Sequence, residues 1–165
     1  MSGVIVKVIL QDIKKIDAEA LIVGFYQDIR PLKGAAGQLD WLLCGALSSL
    51  LIKNKLKGAL GEIALLTSQG KVPSQKIFLV GLGAKASFST LSLRTVTKIV
   101  SACVLGAGVT NAAMEYFQAP GISSEGTVPA FREGLAEGAG DRSLRISVIA
   151  PNEVAYNQLL QLTIS

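Results

Sequence analysis

Val4–Leu10 (V-I-V-K-V-I-L) is a strand-like apolar run interrupted only by Lys7, while Ala20–Phe25 (A-L-I-V-G-F) carries no polar side chain at all. Both runs are rich in β-branched residues and too short for helices, which predicts two strands. From Ala35 to Lys53 the period changes. Leu39, Leu42, Leu43, Ala46, Leu47, Leu50 and Leu51 recur at helical spacing and predict one continuous helix, with Lys53, Lys55 and Lys57 at its end and Gly58 placed to stop it. Basic residues there complement the carbonyl end of a helix. Glu62–Thr67 and Lys76–Val80 predict two further strands, with Gly70 and Pro73 marking the loop between them. Ser89 or Thr90 caps a helix to about Leu105, with Leu93, Val96, Val100, Cys103 and Val104 on one side. Asn111–Phe117 is expected as a strand, Glu125–Ala139 as a helix with Pro129 in its first turns, and Arg145–Ile149 as the last strand. Asn152 then caps a helix reaching about Leu162.

Strands alternating with helices predict an α/β protein, a three-layer α/β/α sandwich around a mixed central sheet. No internal repeat, linker or low-complexity stretch divides the chain, so residues 1–165 are expected to form a single domain. One connection is exceptional: Asp12–Glu19 is too short for the usual crossover helix.

Composition narrows the chemistry. The sequence contains no histidine, which excludes Ser-His-Asp and Cys-His nucleophile systems and every His-ligated metal site. Cys44 and Cys103, far apart in apolar stretches, are expected as small buried hydrophobes in a reducing compartment. No signal peptide is visible, and the apolar segments Trp41–Ile52 and Ile99–Val109 fall short of the ~20 residues a membrane span needs, so a cytoplasmic protein without a membrane partner is expected. The net charge of +4 comes from basic residues spread along the chain, which argues against a nucleic-acid site. Half of the residues are hydrophobic and the mean hydropathy is +0.47, which points instead to apolar surface used in association, with a second copy of the chain or another protein.

Two glycine-bearing turns stand at strand-to-helix junctions: Gly34-Ala35-Ala36-Gly37 before the first helix, and Gly81-Leu82-Gly83-Ala84 after the fourth strand. Small residues at such turns let backbone N–H groups approach an anion. They equally allow strand and helix to pack closely, and both readings stand. Gly81–Ala86 also fits a permissive dinucleotide pattern, but no acidic residue follows between Ala84 and Ala113 to hold a ribose, so that reading is rejected. Glu133 and Glu137 read as a solvated helix face, Asp12, Asp17 and Glu19 as turn residues, and Trp41 as core rim or contact surface. No cofactor and no metal site are expected.

The residues Gln11–Val23 (Q-D-I-K-K-I-D-A-E-A-L-I-V) resemble the opening of a macro domain. Leu32–Asp40 followed by a Leu/Ala helix, Leu60-Gly61-Glu62, Lys76–Gly83 and Phe131–Gly138 resemble the macro-like, non-catalytic N-terminal domain of the cytosolic leucyl aminopeptidase family. The resemblance covers roughly residues 4 to 150 and implies a macro-domain-like fold. In that family the peptidase chemistry resides in a second, C-terminal domain, so the resemblance implies that this chain is not itself an enzyme but an interaction, assembly or regulatory domain. The macro-domain likeness implies an alternative, a small-molecule site for ADP-ribose or a related nucleotide. In it Asp12 and Ile13 would recognise the base, and Gly34, Ala35, Ala36, Gly37, Gly81, Leu82, Gly83 and Ala84 would hold the phosphates and ribose. Where hydrolytic macro domains carry Asn-Ala-Ala-Asn this chain has Gly24-Phe25-Tyr26-Gln27, so de-ADP-ribosylation is not expected.

Overall fold

The computed structural model describes residues 3–163. Six strands form one mixed sheet: β1 (Gly3–Ile9), β2 (Ala20–Phe25), β3 (Ile63–Thr67), β4 (Lys76–Gly81), β5 (Asn111–Glu115) and β6 (Ser143–Ile149). Their spatial order is β1-β6-β5-β2-β4-β3, all neighbours parallel except β3, which runs antiparallel to β4. The wholly apolar β2 lies mid-sheet and is buried along its whole length, as a strand covered on both faces must be. β1, whose residues alternate between more and less exposed along the strand, lies at an edge.

Helices cover both faces, as the alternation of elements predicts. On one face α3 (Thr90–Gly106), α4 (Ser124–Ala139) and α5 (Glu153–Leu159) pack Val96, Val100, Phe131 and Leu135 against Ile22, Phe78, Met114 and Val148. On the other, Leu39, Leu47 and Leu51 cover Leu21, Val23, Ile77 and Leu79. The α3 N-terminus is closed by a capping box in which Ser89 and Ser92 each receive the other's backbone N–H. The short connection after β1 holds a 3-10 turn, Ile13–Lys15, anchored by buried Ile13 and Ile16. That turn and its flanks carry the chain past β6 and β5 without a helix of ordinary length.

Three expectations are corrected. The helix expected from Ala35 to Lys53 is two helices, α1 (Gly34–Leu42) and α2 (Ala46–Ile52), bent by 105°. Cys44 and Gly45 between them take left-handed backbone (φ 55° and 83°). The Asp40 carboxylate then caps α2, accepting the Ser48 N–H at 2.9 Å and the Ser48 hydroxyl. Apolar periodicity continues across the break because both helices face the same sheet surface. Second, Cys44 and Cys103 are free but exposed rather than buried, the first on the bend and the second on the outer side of α3. Third, β5 stops at Glu115 instead of Phe117, while β6 starts two residues earlier than expected, at Ser143. No single helix among the described residues is long and apolar enough to cross a membrane.

The cap across the bend gives a first test. Asp40→Ala is expected to lower unfolding free energy by about 1 kcal/mol in urea titration, and Asp40→Asn by much less, because the amide oxygen still accepts the Ser48 N–H.

Candidate functional site

The connections that follow β2 and β5 leave to opposite faces of the sheet. β2 leads into α1, on one face, and β5 into α4, on the other. Adjacent parallel strands that diverge in this way open a crevice at their carboxyl ends, the place where open α/β sheets hold ligands. The pairing of β2 with β5 covers only Ala20–Ile22 against Ala112–Met114. Beyond it the strands separate, and the Glu115 side chain enters the gap.

Two recesses meet there. The larger, about 580 Å³, is lined by Leu10–Ile13, Gly34, Ala35, Gln38, Glu115 and Tyr116, with Ile149–Pro151 closing its far side. The smaller, about 210 Å³, is bounded by Gly24–Tyr26, Leu32–Gly34, Leu82 and Glu115–Gln118. Glu115 accepts the Gly24 N–H at 3.0 Å with one oxygen and the Ala35 N–H at 3.3 Å with the other. The first donor belongs to β2 just past its pairing with β5. The second belongs to the first turn of α1, whose N–H groups have no partner within the helix. The chain comes this close because residue 34 is glycine: it has φ 59°, and a Cβ there would lie 3.1 Å from the Glu115 oxygen.

Burial pushes the Glu115 carboxyl up to about 7, an effect only partly offset by its two backbone N–H partners. No described ion pair involves it. Tyr26, whose phenol donates to the Gln118 carbonyl at 2.8 Å, is raised by burial and then by the neighbouring charges of Glu115 and Asp28. Burial pushes Tyr116 up to about 12, and its phenol is hydrogen-bonded to the Thr127 hydroxyl.

Of the residues singled out in the sequence, Asp12, Ile13, Gly34 and Ala35 come together around the larger recess, and Leu82 borders the smaller. Asp12 is exposed; its carboxylate caps the 3-10 turn by accepting the Lys14 N–H at 2.9 Å and also accepts Gln38 Nε2 at 3.4 Å. Ala36, Gly37, Gly81, Gly83 and Ala84 line neither recess. Gly37 lies against the Leu32 carbonyl and Gly81 against the backbone of Gly58 and Ala59. Gly83 donates to Gly58 O at 2.8 Å and accepts the Gln27 N–H at 2.9 Å. Glu133 and Glu137 sit on the outer face of α4 and pair with Arg94 of α3. Glu19 ties the start of β2 to β5 by accepting the Thr110 and Asn111 N–H groups. Among the described residues no group of three His, Cys, Asp or Glu side chains is placed to hold a metal ion. Glu115 itself was missed by sequence reasoning. The available signal was one acid ending an otherwise uncharged strand, Asn111–Glu115 (N-A-A-M-E).

The sequence model for the N-terminal domain of the cytosol aminopeptidase family matches residues 22–141. A probable cytosol aminopeptidase of Geobacter sulfurreducens is 34% identical over 133 residues, which cover 80% of this chain and 26% of that protein. One from Alkaliphilus oremlandii is 29% identical over 92 residues, 56% of this chain and 18% of that protein. The chain therefore spans about a quarter or less of the length of these relatives. Among solved structures, a mutant tomato leucine aminopeptidase superimposes with a TM-score of 0.68 and 20% identity over 96% of this chain and 35% of its own. The Oceanobacillus iheyensis macrodomain with ADP does so with 0.72 and 12% identity, over 94% of this chain and 87% of its own. Both likenesses establish the macro-domain-like fold.

Proposed function

Because the chain belongs to the cytosol aminopeptidase family, matched through that family's N-terminal domain, we propose that it acts as a non-catalytic assembly domain whose α1–α2 layer docks on a second copy of the chain. A cytosolic location is part of the same reading. The observation that carries it is the character of Gly34–Ile52. This stretch holds a single charged residue, Asp40, and that carboxylate is engaged by Ser48. Trp41 and Ile52 nevertheless stand 80% exposed. A solvated helix ordinarily carries charge on its outer face, and an uncharged outer layer with an exposed indole has the composition of an interface centre.

Trp41 is the only tryptophan, so its emission reports on this layer alone. Sedimentation velocity across a concentration series is expected to show reversible self-association, with Trp41 emission shifting to the blue as assembly proceeds. Trp41→Glu is expected to leave the fold intact and the protein monomeric. A wild type that stays monomeric at the highest attainable concentration, with water-exposed Trp41 emission throughout, would overturn the proposal.

A second reading is a nucleotide-type site, and the convergence of Asp12, Ile13, Gly34 and Ala35 on one recess of about 580 Å³ favours it. It ranks second because the Ala35 N–H, the donor such a ligand's phosphate would use at α1, already serves Glu115.

A further inference from the structure

The Glu115 carboxylate occupies an arrangement whose natural occupant is an oxyanion. Two backbone donors from different segments, Gly24 N–H and Ala35 N–H, converge on it. Ala35 lies in the first turn of the nine-residue helix α1, where unpaired N–H groups carry partial positive charge. Gly34 leaves the gap into which the oxygen fits. The position is the crevice where β2 and β5 part, and both recesses open onto it. The internal carboxylate is itself penalised when ionised: among the described residues no ion pair involves it, so its charge rests on the two backbone N–H groups in a desolvated place.

We propose that Glu115 is a built-in stand-in for a ligand oxyanion: it holds the Gly24 and Ala35 amides that a phosphoryl group entering the recesses would need, and it makes admission of such a group conditional on its own protonation. While ionised it both fills the slot and repels an incoming phosphate. Once neutral it no longer repels, and its hold on the amides weakens enough for a stronger acceptor to displace it toward the cleft, onto which the residue opens. The inference is independent of the α1–α2 layer and holds whether or not the chain self-associates.

The groups around Glu115 leave its titration as the controlling one. Tyr26 and Tyr116 are phenols raised above their ordinary range and stay neutral wherever Glu115 titrates. Asp12 and Lys33, one on each recess, are the other charged residues lining these walls, and neither is ion-paired with Glu115 among the described contacts. With the carboxyl at about 7, the neutral fraction falls from roughly nine tenths at pH 6 to roughly one tenth at pH 8, so apparent affinity for a phosphoryl ligand should fall about tenfold over that interval.

The test is calorimetric titration of the protein with inorganic pyrophosphate at pH 6 and pH 8, followed in parallel by the amide resonances of Gly24 and Ala35. Wild type is expected to bind about tenfold more tightly at pH 6, with both resonances shifting on addition. Glu115→Ala is expected to bind at pH 8 about tenfold more tightly than wild type or better and to lose most of the pH dependence. Glu115→Gln keeps the volume and removes the charge. It covers the case in which the alanine variant does not fold, and its own pH profile corrects for protonation of pyrophosphate. Folded variants that bind no better than wild type at pH 8 would overturn the proposal. So would wild-type Gly24 and Ala35 resonances that ignore pyrophosphate at pH 6; Glu115 would then be a structural tie between β2, β5 and α1 and nothing more.

Discussion

Gly134→Ala is expected to destabilise the protein by about 3 kcal/mol, although alanine is the better helix former by about 1 kcal/mol. The reason is the closeness of α3 and α4. A Cβ at Gly134 would collide with the Thr97 hydroxyl and lie 2.5 Å from the Arg94 carbonyl oxygen. Thr97 cannot simply turn away, since it is fully buried and its hydroxyl donates to the Leu93 carbonyl at 2.8 Å. One turn on, a Cβ at Gly138 would collide with the Lys98 carbonyl and lie 2.8 Å from the Ser101 Cβ. The two helices therefore touch through backbone, and an added methyl must push them apart and open the core beneath Val100, Phe131 and Leu135. In a chain of this length the loss corresponds to a fall in Tm of roughly 6–12 °C. Gly126→Ala on the same helix is the control. Its Cβ would meet only ordinary contacts, Ile122 at 3.4 Å and Ser123 at 3.6 Å, so it should be neutral or slightly stabilising. Equal behaviour of the two variants in thermal and urea unfolding would contradict the close contact.

The second large effect is a pH dependence of stability set by Glu115. Its folded carboxyl titrates at about 7, well above the ~4.3 of an exposed glutamate in the unfolded chain. Below pH 4 the group is protonated in both states and contributes nothing. Between those two values the folded state holds a proton that the unfolded state has released, so unfolding free energy falls as pH rises, and the loss is complete above about pH 8. The expected decline from pH 5 to pH 8 is about 2–3 kcal/mol. The other groups with shifted titrations act elsewhere. Glu137, held low chiefly by its hydrogen bond to Arg94, acts on the acid side with the opposite sign, and Tyr26, Cys103 and Tyr116 are raised from positions already above neutrality. Glu115→Gln should flatten the profile across pH 5–8 whatever it does to absolute stability, because the amide cannot titrate. Urea unfolding of both proteins across that range checks it. Parallel slopes would show that the decline has another source.

Much of the fold is legible in the chain, because its strands announce themselves by composition. Ala20–Phe25 has no polar side chain and lies inside the sheet, whereas Val4–Leu10, interrupted by Lys7, lies at an edge. The bend between α1 and α2 was not legible from periodicity, since Leu39, Leu43, Leu47 and Leu51 keep one spacing across a 105° turn. The cue lay in Cys44-Gly45, with Asp40 eight residues before the serine it caps. The candidate site was half legible. Glycine next to a helix start pointed to α1, and Gly34 and Ala35 do stand at the crevice. What fills the crevice was not readable, because Glu115 is 80 residues from Ala35 and 91 from Gly24 in sequence. Only the order of strands brings them together. The cysteines misled for a related reason: an apolar stretch identifies a helix, but not which of its positions face out.

The carboxyl at the parting of β2 and β5 holds the Gly24 and Ala35 amides and changes charge near neutrality. This is tested most directly by following the backbone amide proton shifts of Gly24 and Ala35 from pH 4 to pH 9 in wild type and Glu115→Gln. Both resonances should move with a common midpoint near 7 in the wild type and lose that transition in the variant. A midpoint in the ordinary glutamate range, or two resonances indifferent to the substitution, would contradict it.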